Sequence, residues 1–348
     1  MIGIRELARH LDISIGTVSR ALNGKADVNP ETRKRVLEAA STLGYAPNQS
    51  GRSLRRGMTG LVGVIVPSDP EQTLVDSVFA AVLNGLRRFL SGRGLDLAIF
   101  LYVEAEEDAF SVLQRIAGRR LVDALIISQT QRSDPRIGYL LGRSLPFVAF
   151  GRCELEEDHA FVDMDFDAAV GGAVERLAAL GHRRMAALVP AGELNYSHLI
   201  TEQFQATLAR LGLPHKAGAV HRCSRGKGGG YEAADALLAE QDIPTAVITA
   251  DRKLAIGLYK RLNEAGLAPG RDMSVICVNC DAQAQFLSPV LSSYQADLPM
   301  LGQELGRALQ AALTAEKTGL PAAEFPQILM PMRYVEGGST SERSGART

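Results

Sequence analysis

The stretch Ile13-Ser14-Ile15-Gly16-Thr17-Val18-Ser19-Arg20-Ala21-Leu22-Asn23-Gly24 has the spacing of a short helix with stop signals at both ends. Ser14 is a natural N-cap, because its hydroxyl accepts a first-turn backbone N–H that has no partner within the helix, and Asn23-Gly24 suits the left-handed backbone that ends one. Val18, Ala21 and Leu22 fall on the inward side, while Ile15, Gly16, Ser19, Arg20 and Asn23 fall on the outward side. Upstream, Ile4, Leu7, Ala8 and Leu11 recur at i, i+3, i+4, i+7, and Asp12-Ile13 supplies a tight turn. Downstream, Asn29 caps a third helix and Pro30 takes its first position, where the missing N–H costs nothing. Val36, Leu37, Ala40 and Leu43 form its expected buried stripe, and Gly44 closes it. Two helices of about eight residues, a short turn and a third helix make a helix-turn-helix, whose second helix enters the DNA major groove by its N-terminal half. The plainer alternative is a surface helical hairpin with a solvated basic face.

The charge distribution favours the first reading. The net charge is -1, yet residues 1–60 carry ten Lys/Arg against five Asp/Glu, and the remaining 288 carry 28 against 34. A basic head on an acidic body suits a polyanionic partner, because each Lys or Arg placed on a phosphate releases condensed counterions. The chain has 348 residues, 46% hydrophobic and 22% charged, so disordered and fibrous classes are excluded and two or three domains are allowed. Its longest apolar runs fall far short of the ~20 residues of a membrane helix, and the start, Met1 to Glu6, has no secretory apolar core; a cytoplasmic protein is expected. Cys153, Cys223, Cys277 and Cys280 are too scattered for a disulfide framework.

Ile4 to Leu54, with the stretch above, Thr32-Arg33-Lys34-Arg35-Val36-Leu37-Glu38-Ala39-Ala40, Leu43-Gly44-Tyr45 and Pro47-Asn48, resembles the lactose-repressor family of bacterial transcription regulators. The resemblance implies that Ile15, Gly16 and Arg20 stand at base-reading positions. It likewise places Ser14, Thr17, Ser19, Asn23, Thr32, Tyr45 and Asn48 on the DNA backbone. Here Ile15 offers only apolar contact and Gly16 none, so direct readout leans on Arg20, whose fork can pair with guanine O6 and N7. Residues 47–60 match the family's hinge, a short helix formed on DNA that wedges Leu54 into a minor-groove base step while Arg52 and Arg55 meet phosphates. Ser50 and Gly51 depart from the usual helix-forming pattern, and a plain tether is the alternative.

From Leu61 onward, apolar runs alternate with helical stretches: Leu61–Val66, Leu95–Phe100, Ala124–Ile127, Phe147–Phe150, then Met185–Val189, Ala246–Thr249 and Val275–Val278. Continuous apolar runs alternating with helices predict parallel strands buried on both faces, in two Rossmann-like series. The expected fold is an all-α helix-turn-helix head (1–46), a hinge (47–60) and an α/β body (61–335), with a C-terminal tail (336–348). The family resemblance extends loosely over the body. It implies a two-lobed, periplasmic-binding-protein-like domain with three crossovers, an N-lobe of 61–161 and 291–325, and a C-lobe of 162–290. It also implies an effector in the cleft and a dimer interface on the lobes.

Ligands of open α/β sheets lie beyond the carboxyl ends of the strands. The polar residues there are Ser68, Asp69, Gln129, Arg152, Asp165, Tyr196, His198, Asp251 and Asn279, a set suited to the hydroxyls of a sugar or a related polar metabolite. By the resemblance, Asp251 and Asn279 stand where the family often has effector-binding Asn and Asp, and Ile200 stands where a ligand-gripping Arg is usual.

Other motifs carry no chemistry. Asp163, Asp165 and Asp167 alternate, but the Gly and Glu of a calcium loop are absent, so a strand end and helix cap are expected. Cys277-Val278-Asn279-Cys280 reads as buried thiols, and Gly226-Lys227-Gly228-Gly229-Gly230 as a mobile loop before a helix of Tyr231 to Leu238, since it lacks the phosphate-loop order. His182 follows a helix end, where its charge would favour the dipole. No catalytic set, metal site or cofactor is expected. The sequence therefore predicts a homodimeric, possibly tetrameric, DNA-binding regulator that represses carbohydrate-use genes through a pseudo-palindromic operator and a small effector. The rival is a cytoplasmic sugar-binding or sugar-modifying protein whose head is an interaction module.

Overall fold

The computed structural model describes residues 2–22, 24–45, 58–68, 77–103, 106–155, 157–214, 217–318 and 325–343. The chain divides into two compact units, Met1–Gly60 and Leu61–Thr348.

In the first unit, α1 (Ile4–Leu11), α2 (Ile15–Leu22) and α3 (Pro30–Thr42) follow the punctuation of the sequence. Asp12 turns the chain in the left-handed region at φ 50°. Ser14 Oγ accepts the Thr17 N–H at 3.1 Å, and Asn29 Oδ1 accepts the Glu31 N–H at 2.8 Å. Leu7, Ala8, Val18, Ala21, Val36 and Ala40 close a small core, joined by Val28 from the turn before α3. Leu37, expected in this core, is half exposed at 50%. Val36 and Ala40 form the buried line, and residue 37 lies a further 100° round the helix, beyond the narrow stripe that two short neighbours can cover.

The second unit holds two six-stranded sheets among the described residues. The N-lobe sheet is built from β1 (Leu61–Pro67), β2 (Asp96–Tyr102), β3 (Ala124–Ile127), β4 (Phe147–Phe150) and β5 (Phe161–Met164). The C-lobe sheet is built from β6 (Met185–Pro190), β7 (Val220–Cys223), β8 (Ala246–Thr249), β9 (Ser274–Cys277) and β10 (Ser292–Ala296). The last two strands, β11 (Gln327–Met330) and β12 (Met332–Val335), join the first and second sheets respectively. Strand order is β11-β5-β4-β3-β1-β2 in one and β12-β10-β9-β8-β6-β7 in the other. All recorded pairings are parallel except β10 with β12. The N-lobe helices are α4 (Ser77–Ser91), α5 (Ala109–Gly118), α6 (Pro135–Leu141) and, returning late in the chain, α11 (Leu298–Thr318). The C-lobe carries α7 (Phe166–Ala179), α8 (Asn195–Arg210), α9 (Gly226–Leu238) and α10 (Arg252–Glu264). The chain crosses between lobes after β5, after β10 and after β11.

Four expectations need correction. The lobe boundary lies near Asp297 rather than at 290, because Ser292 and Ser293 pair with Ile276 and Cys277 in the C-lobe sheet, and β11 returns to the N-lobe. Residues 336–343 are no free tail: Ser339 is fully buried, its carbonyl takes the Val275 N–H at 2.7 Å and its hydroxyl donates to the Val275 carbonyl at 2.7 Å. β2 is an edge strand, and its Ile99 and Leu101 face outward instead of being buried. His182 is buried, with Nε2 3.1 Å from the Ser341 carbonyl and Nδ1 2.9 Å from Thr245 Oγ1, and burial holds its imidazole below the ordinary value, so it is no charged dipole partner. A depressed folded-state value means that the unfolded chain takes the proton first. Stability is therefore present above about pH 6.5 and is lost as pH falls below it. His182→Gln should flatten that acid-side fall in melting temperature.

The glycine run also differs from its expected loop. It forms the first turns of α9, directly after β7. A Cβ on Gly230 would collide with the Leu254 carbonyl, and one on Gly257 with the Lys227 carbonyl, so α9 and α10 pack backbone against backbone. Gly257→Ala should cost about 1–3 kcal/mol in a urea melt by forcing these helices apart. Gly228, with open space at its Cβ, should tolerate Ala without loss.

Candidate functional site

In the head, α2 presents Ser14, Ile15, Gly16 and Arg20 to solvent, while Thr17, Ser19, Thr32 and Tyr45 are half buried. Ser14 Oγ and Thr17 Oγ1 lie 2.8 Å apart at the start of α2, where phosphate oxygens would find several donors. Arg20 Nε lies 3.6 Å from Asp27 Oδ2, in a pair that is more than half exposed on both sides. The missing side chain of Gly16 opens onto Arg20 Nη1 at 4.0 Å, so glycine leaves room for the guanidinium on the outward face. Such an exposed pair is weak and leaves Arg20 able to turn to a base. Asp27 was absent from the sequence candidates because its neighbour is set by the turn before α3. Asn23, Asn48, Arg52, Leu54 and Arg55 lie outside the described residues, as does Asp69 in the body.

In the body, Gln129 follows β3 with φ 53°, a left-handed backbone that is uncommon for a residue with a side chain. A buried ion pair holds it there. Arg136 Nη2 donates to the Ser128 and Gln129 carbonyls at 3.0 Å each, and meets Asp134 Oδ2 at 2.6 Å. Gln129 Oε1 then accepts from Arg225 Nη2 at 3.0 Å across the lobes. A cavity of about 350 Å³ opens there, lined by Tyr102, Asp108, Gln129, Glu193, Leu194 and Arg225.

The two lobes touch on either side of the cleft. On one side the Asn195 N–H donates to the Thr130 carbonyl at 2.9 Å, the Arg132 N–H to Glu193 at 3.0 Å, and the Arg132 side chain pairs with Glu202. On the other side, Arg252 at the start of α10 donates to Ser77 Oγ at 2.8 Å and lies 3.0 Å from Asp281 Oδ1, while Ser77 also bonds to Asp281. Arg152 sits between Asp163 at 3.5 Å and Asp167 at 2.7 Å. Burial pushes the Asp163 carboxyl up to about 6, opposed by the Arg152 charge.

The structure separates caps from site groups. Asp165 caps α7 through the Ala168 N–H at 3.0 Å, and Asp251 caps α10 through the Leu254 N–H at 3.0 Å. Tyr196 stacks on Phe166 at 5.8 Å, and His198 Nε2 lies 3.8 Å from Glu193. Asn195 Oδ1, Ser197 Oγ, His198 Nε2, Thr249 Oγ1 and Asn279 Oδ1 are buried without a hydrogen-bond partner among the described residues. They stand at or just after the carboxyl ends of β6, β8 and β9, three strands adjacent in the sheet. A native core leaves few such groups, because each costs roughly 1–3 kcal/mol unless something bonds it. Asn195, Ser197 and Thr249 were not among the sequence candidates, although two of them flank Tyr196. Arg252, Ser77 and Asp281 are distant in sequence and carried no local signal.

Nucleophilic chemistry has no support in the one Cys–His contact. Cys153 Sγ lies 3.5 Å from His159 Nε2, but burial pushes the thiol up to about 12 and holds the imidazole below its ordinary value, the opposite of an activated pair. No cluster of metal-ligating side chains occurs among the described residues.

Comparison with known proteins decides the family. Residues 3–48 match the model of bacterial regulatory proteins of the lacI family, and residues 174–340 match a periplasmic binding protein-like domain. The HTH-type transcriptional regulator AglR of Rhizobium meliloti is 35% identical, over 79% of this chain and 77% of that protein. The chain belongs to the lacI family of bacterial regulatory proteins. Like its relatives, this lacI-family chain is a DNA-binding transcriptional regulator. Its fold is shared with a lac repressor dimer solved on operator with an anti-inducer, at a TM-score of 0.84 and 20% identity over 98% of this chain and 99% of that one. A CelR–cellobiose complex aligns at a TM-score of 0.72 and 23% identity, covering 97% and 100% of the two chains. No helix among the described residues of this lacI-family protein is long and apolar enough to cross a membrane.

Proposed function

We propose that the protein is a homodimeric repressor of carbohydrate-use genes, binding a pseudo-palindromic operator and controlled by a small sugar-like effector in the interlobe cleft. The observation that carries the effector reading is the row of unpartnered buried polar atoms on Asn195, Ser197, Thr249 and Asn279, which hydroxyl groups of a ligand would satisfy. The relation to AglR supports the regulatory role, and the cellobiose held by the CelR fold neighbour supports the ligand class. Asn279→Ala should abolish the effect of the ligand on operator binding while leaving operator affinity without ligand unchanged. A retained response would move the site elsewhere.

Two copies are favoured by apolar residues left uncovered on one chain. Ile99 and Leu101 on edge strand β2 are 45% and 44% exposed, and Phe286 is 79% exposed. Exposed edges and apolar residues of this kind are normally covered in the working assembly. Ile99→Lys with Leu101→Lys should give a monomer by sedimentation and lower operator affinity at least about a hundredfold, since the second head loses its intramolecular advantage.

A further inference from the structure

We propose that the interlobe site selects an uncharged polyhydroxylated ligand and discriminates against sugar phosphates and sugar acids. This rests on the cleft reading above and adds a charge rule to it.

A site built for a phosphate or carboxylate presents cations whose charge is free to be matched by the ligand. Here the cations at the mouth and floor of the cleft already face carboxylates of the protein. Arg152 is flanked by Asp163 and Asp167, the second at 2.7 Å. Arg252 lies 3.0 Å from Asp281, and its remaining donor is taken by Ser77 at 2.8 Å. Arg136, nearly fully buried, is matched by the fully buried Asp134 at 2.6 Å and by two carbonyls. Arg225 has the neutral Gln129 amide as a partner, but Glu193 and Asp108 line the same cavity.

The groups that do lack a partner are mostly neutral. Asn195, Thr249 and Asn279 offer two amide oxygens and a hydroxyl, and Ser197 offers another hydroxyl. Amide oxygens accept hydrogen bonds, and a ligand that meets two of them must donate; sugar hydroxyls do, whereas a dianionic phosphate or a carboxylate only accepts. An anion would therefore meet acceptors it cannot satisfy and cations it could reach only by displacing a carboxylate. The segment between β1 and α4 adds Asp69, Glu71 and Asp76 and no Lys or Arg to the composition of this region.

The test uses the full chain in a thermal-shift and calorimetric panel: glucose, galactose, cellobiose, maltose and raffinose, set against glucose 6-phosphate, galactose 1-phosphate, galacturonate and cellobionate. The account expects binding within the neutral group, lost in Asn279→Ala and changing less than about twofold in Kd as salt is raised through the range that screens surface charge. Each charged counterpart should bind at least about tenfold more weakly than its neutral parent. A phosphorylated or acidic sugar binding as tightly as its parent, still sensitive to Asn279→Ala, would overturn the charge rule and leave the cleft as the site. Binding by either group that ignores Asn279→Ala, or none by any member, would overturn the cleft reading and the charge rule with it.

Discussion

Replacing Asp134 by Ala is expected to destabilise the body by about 3–5 kcal/mol, because it leaves the Arg136 guanidinium buried without its counter-charge. Asp134 is fully buried and does three jobs: it caps α6 through the Arg136 N–H at 3.0 Å, takes the Gln131 N–H at 3.0 Å, and neutralises Arg136. Through Arg136 it also fixes the carbonyls of Ser128 and Gln129 and so the left-handed turn that aims Gln129 into the cleft. Urea unfolding should show the loss. Replacing the pair together by apolar residues of similar volume should recover much of the stability without recovering the Gln129 geometry, so ligand response should stay impaired. A single Asp134→Ala variant as stable as the parent would mean that Arg136 finds water or another acceptor.

The second large effect belongs to the head. Arg20→Ala should remove sequence preference by about 1–3 kcal/mol per half-site, twice that for a dimer on two half-sites, while binding to arbitrary duplex falls only by the contribution of one positive charge. The asymmetry follows from the composition of α2. Ile15 is apolar, and Gly16 has no side chain to read with and instead leaves space beside Arg20 Nη1. Competition binding against a scrambled duplex separates the two contributions. An unchanged preference in Arg20→Ala would assign base readout to another residue.

Much of the head was legible in the sequence because its determinants are local. Ser14, Asn29, Pro30 and Asp12 act within four residues of themselves, and the structure places all three helices where these residues start and stop them. The apolar strands β1, β3, β4, β6, β8 and β9 were legible for the same reason, being runs that no other environment suits. The polar strand β10 was not. Ser292-Ser293-Tyr294-Gln295-Ala296 has no apolar run and is held by bonds to residues more than forty positions away, such as the Ser292 N–H to Ser339 Oγ at 2.8 Å. Missing it displaced the lobe boundary and turned a packed segment into an apparent tail.

The site divides in the same way. Topology marks residues after the strands as candidates, and Gln129, Arg152, Tyr196, His198 and Asn279 do face the interlobe region. Whether a particular carboxylate caps a helix or awaits a ligand depends on a hydrogen bond a few ångströms long, and Asp165 and Asp251 turned out to be caps. The Ser77–Arg252–Asp281 contact joins residues 175 positions apart and could be found only in three dimensions.

The most direct test of a ligand-controlled DNA reader is a fluorescence-anisotropy titration of the full chain on a duplex selected from genomic fragments and on its scrambled counterpart, across salt, with and without the saccharide that binds the cleft. The account predicts at least about a thousandfold preference for the selected duplex, a steep loss of affinity with salt, and a change in that preference when the saccharide is added. Equal affinity for both duplexes at every salt concentration, or a preference that no cleft ligand alters, would contradict it.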